Sequence, residues 1–178
     1  MKNDKQSGEP QPHRLVGLPP LVGDNTRLLV LGSFPSATSL ARQQYYAHPQ
    51  NHFWKILQAI WPDSPHGSSV NSYEIRSNWL LDRGVGVWDV YASCERQGSL
   101  DTAIRQPQVN DFIGLARRCP QLRVIAHNGG ESFRHVKCTA ALGLPVYKLP
   151  STSPANASWS FERKLAAWRA VVAAAGLH

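Results

Sequence analysis

Two segments far apart in this chain concentrate side chains that bind and orient polar ligands. The first is Gly32-Ser33-Phe34-Pro35-Ser36, followed by Tyr45-Tyr46-Ala47-His48-Pro49-Gln50-Asn51-His52-Phe53-Trp54. Its rings, Tyr45, Tyr46, Phe53 and Trp54, offer flat stacking surface for a nucleobase, and Asn51 and His48 offer directional hydrogen bonds. The same residues have ordinary roles: large rings such as Phe53 and Trp54 build cores, and Asn51 is a good helix cap. The second segment is Leu149-Pro150-Ser151-Thr152-Ser153-Pro154-Ala155-Asn156-Ala157-Ser158. A loop this dense in Ser, Thr and Asn, stiffened by proline, can donate hydrogen bonds to phosphate oxygens, or it can be a plain surface loop. Each segment follows an apolar run that reads as a strand. In a parallel sheet both would therefore emerge at one edge, where α/β folds build their sites.

Between them, Val124-Ile125-Ala126-His127-Asn128-Gly129-Gly130 reads as a strand ending in Asn-Gly-Gly. Asn128 suits a turn, since Asn tolerates left-handed backbone. It also suits base reading. A primary amide accepts one hydrogen bond and donates another, which matches an N–H beside a C=O on a flat ring. Uracil presents that pair at N3–H and O4, and hypoxanthine at N1–H and O6, whereas cytosine and adenine present donor and acceptor in the reverse order.

With these motifs in order, the chain resembles the uracil-DNA glycosylase superfamily from about Leu28 to Ala173, and most closely its hypoxanthine-DNA glycosylase branch. The carriers are Gly32–Ser36, Tyr45–Trp54 and Pro150–Asn156, with Gly86-Val87-Trp88-Asp89-Val90 and Ser99-Leu100-Asp101 between them. Tyr46 to Lys55 is also similar to the Phe-Ala-His-Pro-Ala-Asn-Arg-Phe-Trp-Lys segment of the mismatch-specific uracil/thymine glycosylases. The resemblance implies a three-layer α/β/α sandwich around a four-stranded parallel sheet. It implies hydrolysis of the N-glycosidic bond of a deaminated base flipped out of DNA, hypoxanthine first, with an abasic site left behind. A uracil or G:U/G:T mismatch glycosylase, or a nucleic-acid-binding module without catalysis, are the other readings.

Residue by residue, the resemblance assigns water positioning to Asn51. Other branches place Asp, Glu or Asn where this chain has Phe34, which cannot activate water. Tyr46 would hold the flipped base, with Asn128, Phe34 and His48 as further base contacts. Ser33, Ser36, Ser151 and Ser153 would grip phosphates. The tip Pro154-Ala155-Asn156 stands where relatives insert a Leu wedge, and Ser151 stands where several carry a His. No lysine is expected where the motifs meet, which argues for a monofunctional enzyme, and an amide as water-positioner implies slow turnover.

Composition agrees with a DNA partner. Lys and Arg outnumber Asp and Glu by 19 to 12, for a net charge of +7 and a sequence pI near 9.7, the electrostatic footprint of a phosphate-binding surface and equally of a merely cationic one. The 3 cysteines form no C-x-x-C pair and fall short of an iron–sulfur ligand set, so neither metal nor other cofactor is expected. No signal-like segment and no apolar run near the roughly 20 residues of a membrane span occurs, the unpaired cysteines read as reduced thiols in a cytoplasmic setting, and a monomer is expected. Residues 1–14 read as a mobile tail and 15–178 as one domain.

The elements that must position these residues alternate. The patterning predicts strands over 27–32, 86–91, 122–127 and 145–149, helical turns near 38–44, and helices over 50–61, 72–83, 108–119, 130–141 and 160–175. The segments 62–69 and 92–106 read as a loop and as irregular chain. In the last helix Phe161, Leu165, Trp168 and Val172 recur at helical spacing and read as core.

Overall fold

The run Leu28-Leu29-Val30-Leu31 is apolar at every position because it is covered on both faces, as central parallel strands are. The structure, a computed structural model, describes residues 13–65 and 73–178. In chain order it contains β1 (Arg14–Val16), β2 (Leu28–Gly32), α1 (Ala37–Arg42), α2 (Phe53–Ile60), α3 (Tyr73–Asp82), β3 (Val85–Asp89), β4 (Tyr91–Glu95), β5 (Arg105–Val109), α4 (Phe112–Arg117), β6 (Val124–Asn128), α5 (Gly130–Phe133), α6 (Val136–Ala140), β7 (Val146–Leu149) and α7 (Phe161–Ala174). The proposed tail, save for its last two residues, lies outside the described residues, as does part of the 62–69 loop. Arg14 opens β1.

Four parallel strands form the central sheet in the order β3-β2-β6-β7. Alternate side chains of β2 enter two separate cores. Leu28 and Val30 join Val85, Val87, Val124 and Ala126 beneath α2, α3 and α7, around Phe53, Leu57, Leu80 and Trp168. Leu29 and Leu31 join Ile125, Phe112, Leu115, Tyr91 and Cys94 on the opposite face. Helices thus cover both faces of the sheet, giving the three-layer sandwich. Trp168 and Val172 are buried, while Phe161 and Leu165 pack at the core's margin.

Several predicted elements change. The 50–61 helix begins only at Phe53, because Asn51 N–H closes a turn onto His48 O and Asn51 Oδ1 accepts from Phe53 N–H. The 92–106 segment and the start of the 108–119 helix instead build a small antiparallel sheet, β1-β4-β5. β5, Arg-Gln-Pro-Gln-Val, is exposed throughout and carries Pro107, so it is an edge strand with no apolar alternation to announce it. Asp111 then caps the shortened α4 through Gly114 N–H. The 130–141 helix is split at Arg134-His135. There, buried His127 holds Ser132 Oγ at 2.8 Å and Thr139 Oγ1 at 2.8 Å, one hydroxyl from each short helix.

Trp168 is the largest fully buried side chain and meets Phe53 edge-on, with ring centroids 5.6 Å apart. Trp168→Ala should therefore cost about 3–5 kcal/mol of stability, measured by urea unfolding; a loss near zero would contradict the packing of α7 on α2.

Candidate active site at the carboxyl edge of the sheet

Parallel register brings Gly32 beside Asp89 and Asn128 beside Leu149 at one edge of the sheet. The loops leaving these strands enclose a cleft of about 860 Å³, lined by Ser33, Phe34, Ser36, Tyr46, His48, Asn51, Asp89, Asn128 and the Pro150–Asn156 loop. Asn51 and Asn128, separated widely in sequence, thus line one cavity together with Tyr46.

Asn128 is 8% exposed and heavily engaged. Its Oδ1 accepts from Thr152 N–H at 3.0 Å, and its Nδ2 donates to Thr152 Oγ1 at 2.9 Å and to Tyr46 Oη at 3.1 Å. Both amide hydrogens are spent inside the protein, and the oxygen keeps one further lone pair. The donating half of the base-reading expectation for Asn128 is therefore already occupied. Gly129 follows with φ of 107°, and a Cβ there would lie 3.1 Å from Ser151 Cβ, so the strand end and the last loop touch at backbone distance.

Tyr46 stacks on Phe53 with centroids 4.0 Å apart and planes 18° from parallel. It holds a φ of 53°, left-handed backbone that a bulky residue adopts only when its surroundings impose it. Burial, and next the charge of Asp89, push its hydroxyl pKa up, so it remains a phenol. Asn51 supports the start of α2 as described, and it also borders a smaller adjoining cavity with His48, Lys55 and Arg76. His48 Nδ1 accepts from Gln50 N–H at 3.2 Å. Asn51's neighbour, His52, sends its N–H to Thr152 O at 2.9 Å, tying the first loop to the last.

The serines are less free than their sequence context suggests. Ser33 Oγ donates to Asp101 Oδ1 at 2.6 Å. Ser36 Oγ caps α1 by accepting from Ser39 N–H. Ser151 and Ser153 hydroxyls accept from Ser153 N–H and Ala155 N–H, each at 3.2 Å, so they fold their own loop. At the tip Asn156 donates to Ser151 O, and its carbonyl accepts from the buried Lys164 ammonium at 3.0 Å. Pro154 and Ala155 stand exposed beside it. Phe34 is buried in the second core with the Arg96 guanidinium 5.0 Å over its ring. Lys148 lines the cleft, contrary to the expectation of no lysine there, with its Nζ 5.5 Å from the Phe133 ring centroid.

Sequence reasoning gave no site role to Asp89, Asp101 or Thr152, although all three stand in the quoted motifs, and it passed over Arg96. Asp89 is 5% exposed and lines the cleft. Its Oδ2 is buried without a hydrogen-bond partner. A Cβ on Gly32 would fall 2.5 Å from its Oδ1 and 3.3 Å from Tyr46 Oη, so only glycine fits there. Burial first, and the charge of Asp101 second, push the Asp89 carboxyl up to about 7, against the opposing pull of Arg96. Burial likewise raises Asp101, with Ser33 pulling the other way, and lowers Arg96, whose guanidinium also bonds Pro35 O. The signal for Asp89 was available: an acid closing an otherwise apolar strand, Val85-Gly86-Val87-Trp88-Asp89, faces the site edge.

Residues 19–172 match the family described as the Uracil DNA glycosylase superfamily. The chain belongs to this superfamily. Among its relatives in the superfamily is a hypoxanthine DNA glycosylase of Methanosarcina acetivorans, 36% identical over 158 residues that make up 87% of this chain and 96% of that protein. A hypoxanthine DNA glycosylase of Methanosarcina barkeri is 36% identical over 140 residues, 79% of this chain and 87% of the relative. A G/U mismatch-specific uracil DNA glycosylase of Schizosaccharomyces pombe is 26% identical over 107 residues, 60% of this chain and 31% of that protein. The solution NMR structure of a candidate uracil DNA glycosylase from Methanosarcina acetivorans superposes with a TM-score of 0.80 at 33% identity, covering 92% of this chain and 99% of that one. Among the described residues of this superfamily member, no three His, Cys, Asp or Glu side chains gather as a metal site, and no helix is long and apolar enough to cross a membrane.

Two stability measurements test this geometry. Asn128→Leu removes both amide donors and the oxygen that accepts from Thr152 N–H, leaving that buried N–H unpaired, and should cost about 1–3 kcal/mol; unchanged thermal stability would mean that these bonds do not hold the loops. For Asp89 the folded protein binds the proton more tightly than the unfolded chain, whose carboxyl has its ordinary value of 3.8. Its contribution is full below that value and is lost as pH rises through about 7. The Tm of Asp89→Asn relative to wild type should therefore be higher at pH 8 than at pH 5, and a pH-independent difference would contradict the raised pKa.

Proposed function

We propose that this chain is a monofunctional DNA glycosylase that excises a deaminated base, hypoxanthine foremost, from DNA. The observation that carries the reading is the convergence of Asn51, Tyr46 and Asn128 on one cleft at the carboxyl edge of the sheet. The activity named for the two Methanosarcina relatives supports the choice of base.

The damaged nucleotide leaves the duplex, at a cost that weak pairing of the lesion reduces, and its base lies against the Tyr46 ring, whose other face is backed by Phe53. The remaining lone pair of Asn128 Oδ1 accepts the ring N–H. Asn51 orients water beneath C1′, its amide plane set by the bond from Phe53 N–H. The C1′–N bond breaks and its electron pair departs with the base. The water oxygen bonds to C1′ of the oxocarbenium-like sugar and gives up a proton to solvent. An amide is a poor base, so orientation and preorganised electrostatics supply the acceleration.

The Schizosaccharomyces relative favours uracil as a second substrate, because uracil carries the same N–H and C=O pair. A panel of labelled oligonucleotides containing hypoxanthine, uracil, xanthine or thymine opposite each base, cleaved at abasic sites by alkali, separates these. Release of hypoxanthine above the others is expected, and release of none would leave a DNA-binding module. Asn51→Ala should lower single-turnover release by at least about a hundredfold with duplex affinity within about twofold of wild type; a wild-type rate in this variant would remove Asn51 from the mechanism.

A further inference from the structure

Every hydrogen on the Asn128 amide is committed to Tyr46 and Thr152, so the carbonyl oxygen of a base in this cleft needs a donor from elsewhere. Asp89 lines the same cleft. It is buried there with Oδ2 unpartnered, and a Cβ built on Gly32 would meet both its Oδ1 and Tyr46 Oη, so the carboxyl sits near the Tyr46 hydroxyl. Its backbone carbonyl is anchored by Asn110 Nδ2 at 2.8 Å, which fixes the side chain's root. A buried carboxylate with an orphan oxygen is costly, whereas a neutral carboxylic acid presents one donor and one acceptor side by side. That is the complement of a ring N–H next to a C=O.

We propose that Asp89, as the neutral acid, donates a hydrogen bond to the carbonyl oxygen of the bound base and stabilises the negative charge that gathers there as the base departs. This rests on the glycosylase reading above. Asp89 keeps its proton throughout; the bond shortens and strengthens as electrons from the broken C1′–N bond spread to that oxygen, which is the moment when a fixed donor lowers the barrier. Once ionised, Asp89 would turn a negative oxygen toward the same carbonyl and oppose departure.

The groups around Asp89 set when this happens. From the segment between α1 and α2 come the hydroxyls of Tyr45 and Tyr46, both raised first by burial and then by its charge. From the turn at Asp101–Ala103 comes the Asp101 carboxyl, which disfavours a second negative charge, and after β4 comes the Arg96 cation, which favours one. The Asp101 charge is partly engaged by Ser33, and Arg96 by Pro35 O and the Phe34 ring. Burial dominates, and the carboxyl changes charge near neutrality.

The test is the single-turnover release of hypoxanthine from a labelled duplex between about pH 6 and 8.5, for wild type, Asp89→Asn and Asp89→Ala. Wild-type rates should fall as pH rises above about 7, approaching tenfold per pH unit, because the active form is protonated. Asp89→Asn, which keeps a donor beside an acceptor without titrating, should lose this decline while keeping at least about a tenth of the wild-type rate at pH 6. Asp89→Ala should be slower by about a hundredfold at pH 6 and insensitive to pH. An alkaline decline that persists in Asp89→Asn, or a wild-type profile flat across the range, overturns the donor role alone. Release from no base at any pH by folded wild type would overturn the glycosylase reading and the donor role with it. If Asp89→Ala does not fold, the profile of the near-isosteric Asp89→Asn still decides.

Discussion

A closed circuit of contacts holds the site, and its keystone is the pair of hydrogen bonds between the Asn128 amide and Thr152. Asn128 Oδ1 takes the Thr152 N–H, and Asn128 Nδ2 reaches both the Thr152 hydroxyl and Tyr46 Oη. Thr152 passes the constraint on, since its carbonyl accepts from His52 N–H. His52 precedes Phe53, whose N–H is held by Asn51 and whose ring backs Tyr46. The circuit then returns to Asn128. Three loops from three strands are thereby locked to one another through buried polar groups. Such groups are costly when unpaired, which favours a single arrangement. The left-handed backbone of Tyr46 is affordable only inside such a frame.

The two cores serve this circuit from below. Alternating side chains of β2 tie it to Trp168 and Phe53 on one face and to Phe112 and Tyr91 on the other. The strand ends cannot shift independently, and the loops inherit that rigidity. His127, one residue before Asn128, adds a clasp of its own to Ser132 and Thr139; burial drives its pKa down to about 4, so it stays neutral across the working range.

Much of this was legible from residues alone because parallel strands and their loops leave strong marks. The apolar runs marked the four central strands, and the loop motifs after β2, β6 and β7 pointed to a shared edge. What was hidden was hidden for physical reasons. β5 buries no face, so its polar, proline-bearing sequence carried no period to read. β4 follows β3 across the single residue Val90, whose N–H bonds Gly32 O, so one apolar stretch concealed two strands in different sheets. Asn128 read as an amide at the strand's carboxyl end, and it lines the cleft, but the fate of its hydrogens depends on Thr152 and Tyr46, which only the folded chain brings near. Asp89 was visible as part of a motif, yet its orphaned oxygen and its crowding against Gly32 are facts of three dimensions.

The missing side chain at Gly32 also determines how this cleft can be adapted. A side chain there would run into the Asp89 carboxyl and come tight against the Tyr46 hydroxyl, so a substitution at Gly32 cannot fill this part of the cleft without moving them. Fit to bases of different size must then be adjusted at the rim, through Ser33, Pro35, Leu100 and the Pro150–Asn156 loop. A variant selected for a new base would retain this glycine and carry its changes in the walls.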